Sequence, residues 1–217
     1  MKFALWATVL LCMMLLSSLP VSGQNLVTAD GNFRSAQWGQ SPEEVESLEE
    51  VAPLYRDQSM LIFHDRFLGI PTEVIYFFLE GRLIMGLTHL MPEHNDLDTY
   101  FADYEKVKAA IGRNLGTPDR ENWQFFLPDL EEDRLLWAEA LGFGMIKVEA
   151  GWLLPGTGIA IRLSGSDLKG HLTTIHFSMN DMNAGRLAYK EYFSKEVGIT
   201  NEYFQGAEVS QVSPAGN

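Results

Sequence analysis

Thr72–Leu90, TEVIYFFLEGRLIMGLTHL, is the stretch that decides the fold. Its arms, Glu73–Leu79 and Arg82–Leu90, are rich in β-branched and aromatic residues and are separated by the turn-capable pair Glu80-Gly81. That is the sequence form of a β-hairpin. In the first arm Val74, Tyr76 and Phe78 alternate with Ile75, Phe77 and Leu79, so both faces are apolar. A strand written this way is buried on both sides or sits centrally in a sheet that a helix covers.

Working outward, Ser59–His64 reads as a short strand before the hairpin. Upstream, Ser41-Pro42-Glu43-Glu44 carries an N-cap serine, proline at the first helical position and a glutamate closing the capping box. A helix is expected from there through Ala52, with Val45, Leu48 and Ala52 on its inner face. Downstream, a long helix is expected from Asn95 or Asp96 to Leu115, with Tyr100, Tyr104, Val107, Ile111 and Leu115 as its buried stripe. Gly116 and Pro118 stop it. Asp119–Pro128 reads as a polar connection containing aromatics, and Asp129–Leu141 as one helix with Leu135, Leu136 and Leu141 inward.

Three strands follow, Gly144–Leu154, Ile159–Leu163 and His171–Ser178, separated by the Gly-, Pro- and Asp-containing turns LPGTG and SGSDLKG. Asn183–Val197 reads as a last helix with Leu187, Tyr192 and Phe193 inward. The fold class is therefore α+β: an antiparallel sheet covered by helices, in an order that admits two α-then-βββ halves, 33–92 and 95–180, within one domain spanning 24–200.

The ends of the chain carry different signals. Met1-Lys2, the apolar run Phe3–Leu16 and the small residues before Gly23 have the form of a cleaved secretory signal, residues 1–23. Cys12 lies inside that run behind Leu11, so it is filler rather than a lipid-accepting cysteine. Cleavage removes the single cysteine of the chain and Lys2, leaving a thiol-free protein one charge more acidic than the formal −13. Cysteine catalysis and thiolate metal sites are then excluded, and no apolar run long enough to span a bilayer remains. Residues 201–217 lack periodicity and read as a flexible tail. The destination is the periplasm or the outside medium.

Sixteen Lys and Arg against 29 Asp and Glu argue against nucleic acid as a partner. The chemistry-bearing patterns are sparse. His89-Leu-Met-Pro-Glu93-His94 is one residue too long for an inverted zinc-protease motif and contains Pro92, so no metal site is read there. His171 and His176, an odd number of positions apart on one strand, point to opposite faces. Gly156-Thr157-Gly158 lacks the lysine of a phosphate loop, and Ser166-Asp167 sits in a hairpin turn. No cofactor is implied.

The segment FRSAQWGQSPEEV, Phe33–Val45, resembles the opening motif of uncharacterised bacterial exported proteins. YEKVKAAIGRNLGTP, the Trp152 strand, IAIRLSG and LTTIHFS resemble the helix and strands that follow in them. The element order is also similar to β-lactamase inhibitor protein and to the small lipoprotein of the barrel-assembly machinery. Because this chain offers no lipid-accepting cysteine after the signal, the resemblance implies no lipid anchor.

Three functions stay open on this basis. The first is a non-catalytic module that binds a protein or envelope component through a sheet face or its helix-capped edge, with Arg34, Trp38 and Trp152 as recognition residues. The second is a hydrolase or lyase whose site assembles from distant residues near the hairpin ends, with His64, Asp65 and His89 as candidates. The third is a small-ligand or lipid carrier.

Overall fold

Glu80 and Gly81 both adopt positive φ, 52° and 74°, in the computed structural model. That is the primed turn whose twist matches a tight hairpin. The structure describes Leu26, Thr28 and residues 32–196. The signal segment and the 201–217 tail lie outside the described residues.

The turn joins β3 (Ile70–Leu79) to β4 (Arg82–Leu90), with a bulge between Phe77 and Phe78. Ahead of them run β1 (Tyr55–Arg56) and β2 (Met60–Phe67). The later strands are β5 (Arg120–Phe125), β6 (Ile146–Leu154), β7 (Thr157–Ser166) and β8 (Lys169–Ser178). All eight form one antiparallel sheet in the order β1-β2-β3-β4-β8-β7-β6-β5. Two antiparallel runs thus meet where β4 pairs with β8, Thr88 opposite Thr174 and Gly86 opposite His176.

The first face has two covers. Over β2–β4 lies the irregular segment Phe33–Glu50 with its short helix α1 (Pro42–Glu46), burying Phe33, Ala36 and Val45 against Leu61, Phe63, Val74 and Tyr76. Over β6–β8 lies α2 (Asp98–Leu115), burying Tyr100, Phe101, Tyr104, Val107 and Ile111. The second face is covered by α5 (Met182–Glu196), which packs Tyr189 on Ile75, Met85, Leu87 and Ile175.

Four expectations need correction. The capping box at Ser41 is formed as expected, but α1 ends at Glu46 rather than continuing to Ala52, and Leu48 is exposed. The chain leaves the helical path and brings Glu49 inside, where it accepts from Arg34 and Tyr76. Asp129–Leu141 is three pieces: α3 (Asp129–Glu132), a 3-10 turn (Arg134–Leu136) and α4 (Trp137–Gly142). Asp133 is extended and its carboxylate caps Leu135 N–H, breaking the helix and turning Leu135 out to 90% exposure. The connection 119–128 contains the edge strand β5, whose inner face carries Glu121, Trp123 and Phe125. In α5 Leu187 is exposed and Tyr189 is buried, while the Phe193 side chain lies outside the described residues.

Candidate functional site

Arg34, Trp38 and Trp152 are internal supports. The Arg34 guanidinium is 6% exposed and donates to Glu49 at 3.0 Å and Asp65 at 2.7 Å. Tyr76 donates its hydroxyl to the other oxygen of Glu49, and burial pushes this phenol well above its usual value. The half-buried Trp38 donates its indole N–H to Thr157 Oγ1 at 2.7 Å, tying the N-terminal cover to β7. Trp152 is buried and donates to the Gly116 carbonyl at the end of α2. Arg34 and Trp152 are therefore buried away from any outward surface.

The histidine candidates do come together, and Asp65 does not join them. Side chains alternate along a strand, so His64 and Asp65 lie on opposite faces. On the second face His64, Glu73, His89, Thr173, Arg162, Glu149 and Asn122 are successive cross-strand partners in a single row across seven strands. Glu73 sits between His64 Nε2 at 3.5 Å and His89 Nδ1 at 3.8 Å. His89, then His64, hold its carboxyl below the usual range against the opposing effect of burial. Farther along, Arg162 grips Glu149 at 2.6 Å and donates to the Tyr189 hydroxyl at 3.3 Å. Beside this row, Ser166 Oγ lies 2.8 Å from His171 Nε2. Burial, then the neighbouring His89, pushes that imidazole down, so it is neutral near pH 7. His94 is elsewhere, bonded to Asp103 at 2.6 Å. Among the described residues no group of three or more His, Cys, Asp or Glu is arranged to hold a metal.

The structure adds a surface that the sequence reading passed over. At the β5 edge Trp123 stacks on Phe101, with centroids 6.1 Å apart, and meets Trp137 at 4.8 Å; Phe125 meets Trp137 at 5.2 Å. Trp123, Phe125 and Trp137 are half-buried. The Arg134 guanidinium lies 4.6 Å over the Trp137 ring and 4.9 Å over Phe101, held by Asp98 at 2.8 Å. Next to this cluster the same stretch of chain exposes Phe126, Leu127, Leu135, Leu136, Phe143 and Met145. Phe126 and Met145 are backbone neighbours, joined by a 3.0 Å hydrogen bond that extends the β5–β6 ladder. The sequence signal for β5 was the alternation of Trp123 and Phe125, too short to distinguish a strand from a loop.

The chain matches no protein-family model, no curated protein and no solved structure.

Proposed function

We propose that the protein is an exported, non-catalytic binding module that engages a protein or envelope component through the β5 edge and the α3–α4 segment beside it. The observation that carries this reading is the aromatic cluster of Trp123, Phe125 and Trp137 with Arg134, bordered by Leu135 at 90% exposure and Phe126 at 52%. Aromatic and arginine side chains at the rim of an exposed apolar patch are the composition of interaction hot spots. β5 is also an end strand of the sheet, and among the described residues no strand pairs with its outer edge. The signal-like residues 1–23 and the resemblance of Phe33–Val45 to bacterial exported proteins support an envelope or extracellular setting.

The test is capture from envelope extract with folded Gln24–Asn217, compared with its Phe126→Asp/Leu135→Asp variant. A partner lost with the double variant and retained by Leu153→Asp, an exposed leucine at the β6–β7 turn, is the expected result. A partner that survives the double variant removes this edge as the site.

A hydrolytic function is the second reading, favoured by the 2.8 Å contact between Ser166 and a neutral His171 beside the His64–Glu73–His89 row. There the imidazole would take the serine proton as the hydroxyl attacks an acyl carbon. Turnover of an ester panel that disappears in Ser166→Ala speaks for it. Turnover unchanged in that variant, or none in the parent protein, ends it.

A further inference from the structure

Three polar side chains in the middle of the first sheet face have no hydrogen-bonding partner among the described residues: Thr88 through Oγ1, Thr174 through Oγ1, and His176 through both ring nitrogens. Each is fully buried, at 0% exposure. They are close neighbours, because Thr88 is directly opposite Thr174, and His176 follows Thr174 by two residues on the same face of β8.

Their position explains why they are polar together. The first face carries two separate hydrophobic clusters, one under Phe33–Glu50 and one under α2. β4 and β8 run along the line where the two covers meet. Phe33 borders the line on one side, its ring 4.9 Å from the His176 ring. Val74 pairs with Thr88 on that side, and Ile161 pairs with Thr174 on the other.

A buried hydroxyl or imidazole left without a partner has lost its hydration with nothing in return, which is destabilising. Native interiors satisfy nearly all such groups, using internal water with about three hydrogen bonds where protein atoms do not reach. The four atoms, on two adjacent strands, together form a set of donors and acceptors. A neutral imidazole offers one donor and one acceptor, and each threonine hydroxyl offers both. Burial pushes the His176 imidazole down to about 3, so it is uncharged at neutral pH. Among the described residues no ion pair involves these three side chains, and a dry interior disfavours a charged guest.

We propose that Thr88, Thr174 and His176 form an internal site for a small, uncharged molecule that both donates and accepts hydrogen bonds, either water or an organic of the alcohol or amide type. The site lies at the junction of the two strand runs and is separate from the β5 edge.

A crystal structure of the folded protein at high resolution reads the site directly. Density within hydrogen-bonding distance of at least two of the four atoms is expected, and a dry junction overturns the proposal. Mass spectrometry of the denatured extract from the same purified protein distinguishes the sources: a released organic identifies that guest, and none leaves water. The Thr88→Val/Thr174→Val variant gives a second readout. Valine keeps the shape and removes only the hydroxyls, so a guest bound to them makes the variant melt lower than the parent. Without a guest, removing two unsatisfied hydroxyls leaves the midpoint unchanged or raises it, and that outcome also overturns the proposal.

Discussion

The two covers on the first sheet face are held down by different physics. Over β6–β8, α2 is a regular helix docked chiefly by its buried stripe of Tyr100, Tyr104, Val107 and Ile111, with Lys108 to Glu121 and Trp152 to the Gly116 carbonyl as polar contacts at its margin. Over β2–β4, the Phe33–Glu50 segment has only the short helix α1 and is fastened by directed bonds: Arg34 to Glu49 and Asp65, Tyr76 to Glu49, and Trp38 to Thr157. A helix satisfies its own backbone, so an apolar stripe suffices to dock it. An irregular segment has no repeating face, and its place must be specified by individual polar contacts. Such contacts sharpen specificity, and they are costly when half removed.

The largest test of this contrast is Arg34→Met. It leaves Glu49 buried without its cation, and a loss of about 3–5 kcal/mol in chemical denaturation is expected. Adding Glu49→Leu should recover a good part of that loss, because the orphaned charge is removed with its partner. If the single variant is as stable as the parent, the N-terminal cover is not held by this network.

Next in size is Gly86→Ala. A Cβ built there overlaps the Phe33 ring, which must move off the sheet. Overpacking of this kind costs about 1–3 kcal/mol. Gly170→Ala sets the same problem under Tyr100 of α2. If the helical cover is the more rigid, Gly170→Ala should lower the melting midpoint further than Gly86→Ala, and the reverse order would break the comparison.

The junction between the covers makes a pH prediction. His176 titrates lower in the folded chain, at about 3, than its ordinary 6.5. Between those values the unfolded state binds the extra proton. The stability contributed by keeping this imidazole neutral is therefore full above pH 6.5 and is lost as pH falls toward 3. The slope is about 1.4 kcal/mol per pH unit while the difference lasts. His176→Gln should flatten the curve between pH 6.5 and 4.5. Below about pH 4.5 Glu73, held low by His89, adds loss in the same direction.

Smallest is Ser41→Ala, which opens the capping box of α1 and should cost about 1 kcal/mol. The Ser41 hydroxyl accepts from Glu44 N–H while the Glu44 carboxylate accepts from Ser41 N–H at 2.8 Å. A change well above that figure would mean that α1 anchors more of the N-terminal cover than its five residues suggest.

Much of the fold was legible because its signals are local. The β3–β4 hairpin follows from alternation and a turn pair that accepts positive φ, α2 from the spacing of its apolar residues, and α1's start from Ser41, Pro42 and Glu44. The antiparallel α+β class follows from those elements in order. The candidate surfaces were not legible in the same way. The sequence allows Arg34 and Trp38 a recognition role as well as a core one, and only tertiary structure supplies their partners, Asp65 and Thr157, far along the chain. His64 and His89 become neighbours through Glu73 because β3 pairs with both of their strands, and the same alternation sends Asp65 to the other face. The edge cluster needs α2's Phe101, β5's Trp123 and α4's Trp137 in one place. Periodicity and turn chemistry act between residues a few positions apart, so the sequence by itself determined the elements. Strand order and the burial of charge depend on contacts between distant segments, and these only the tertiary structure decided.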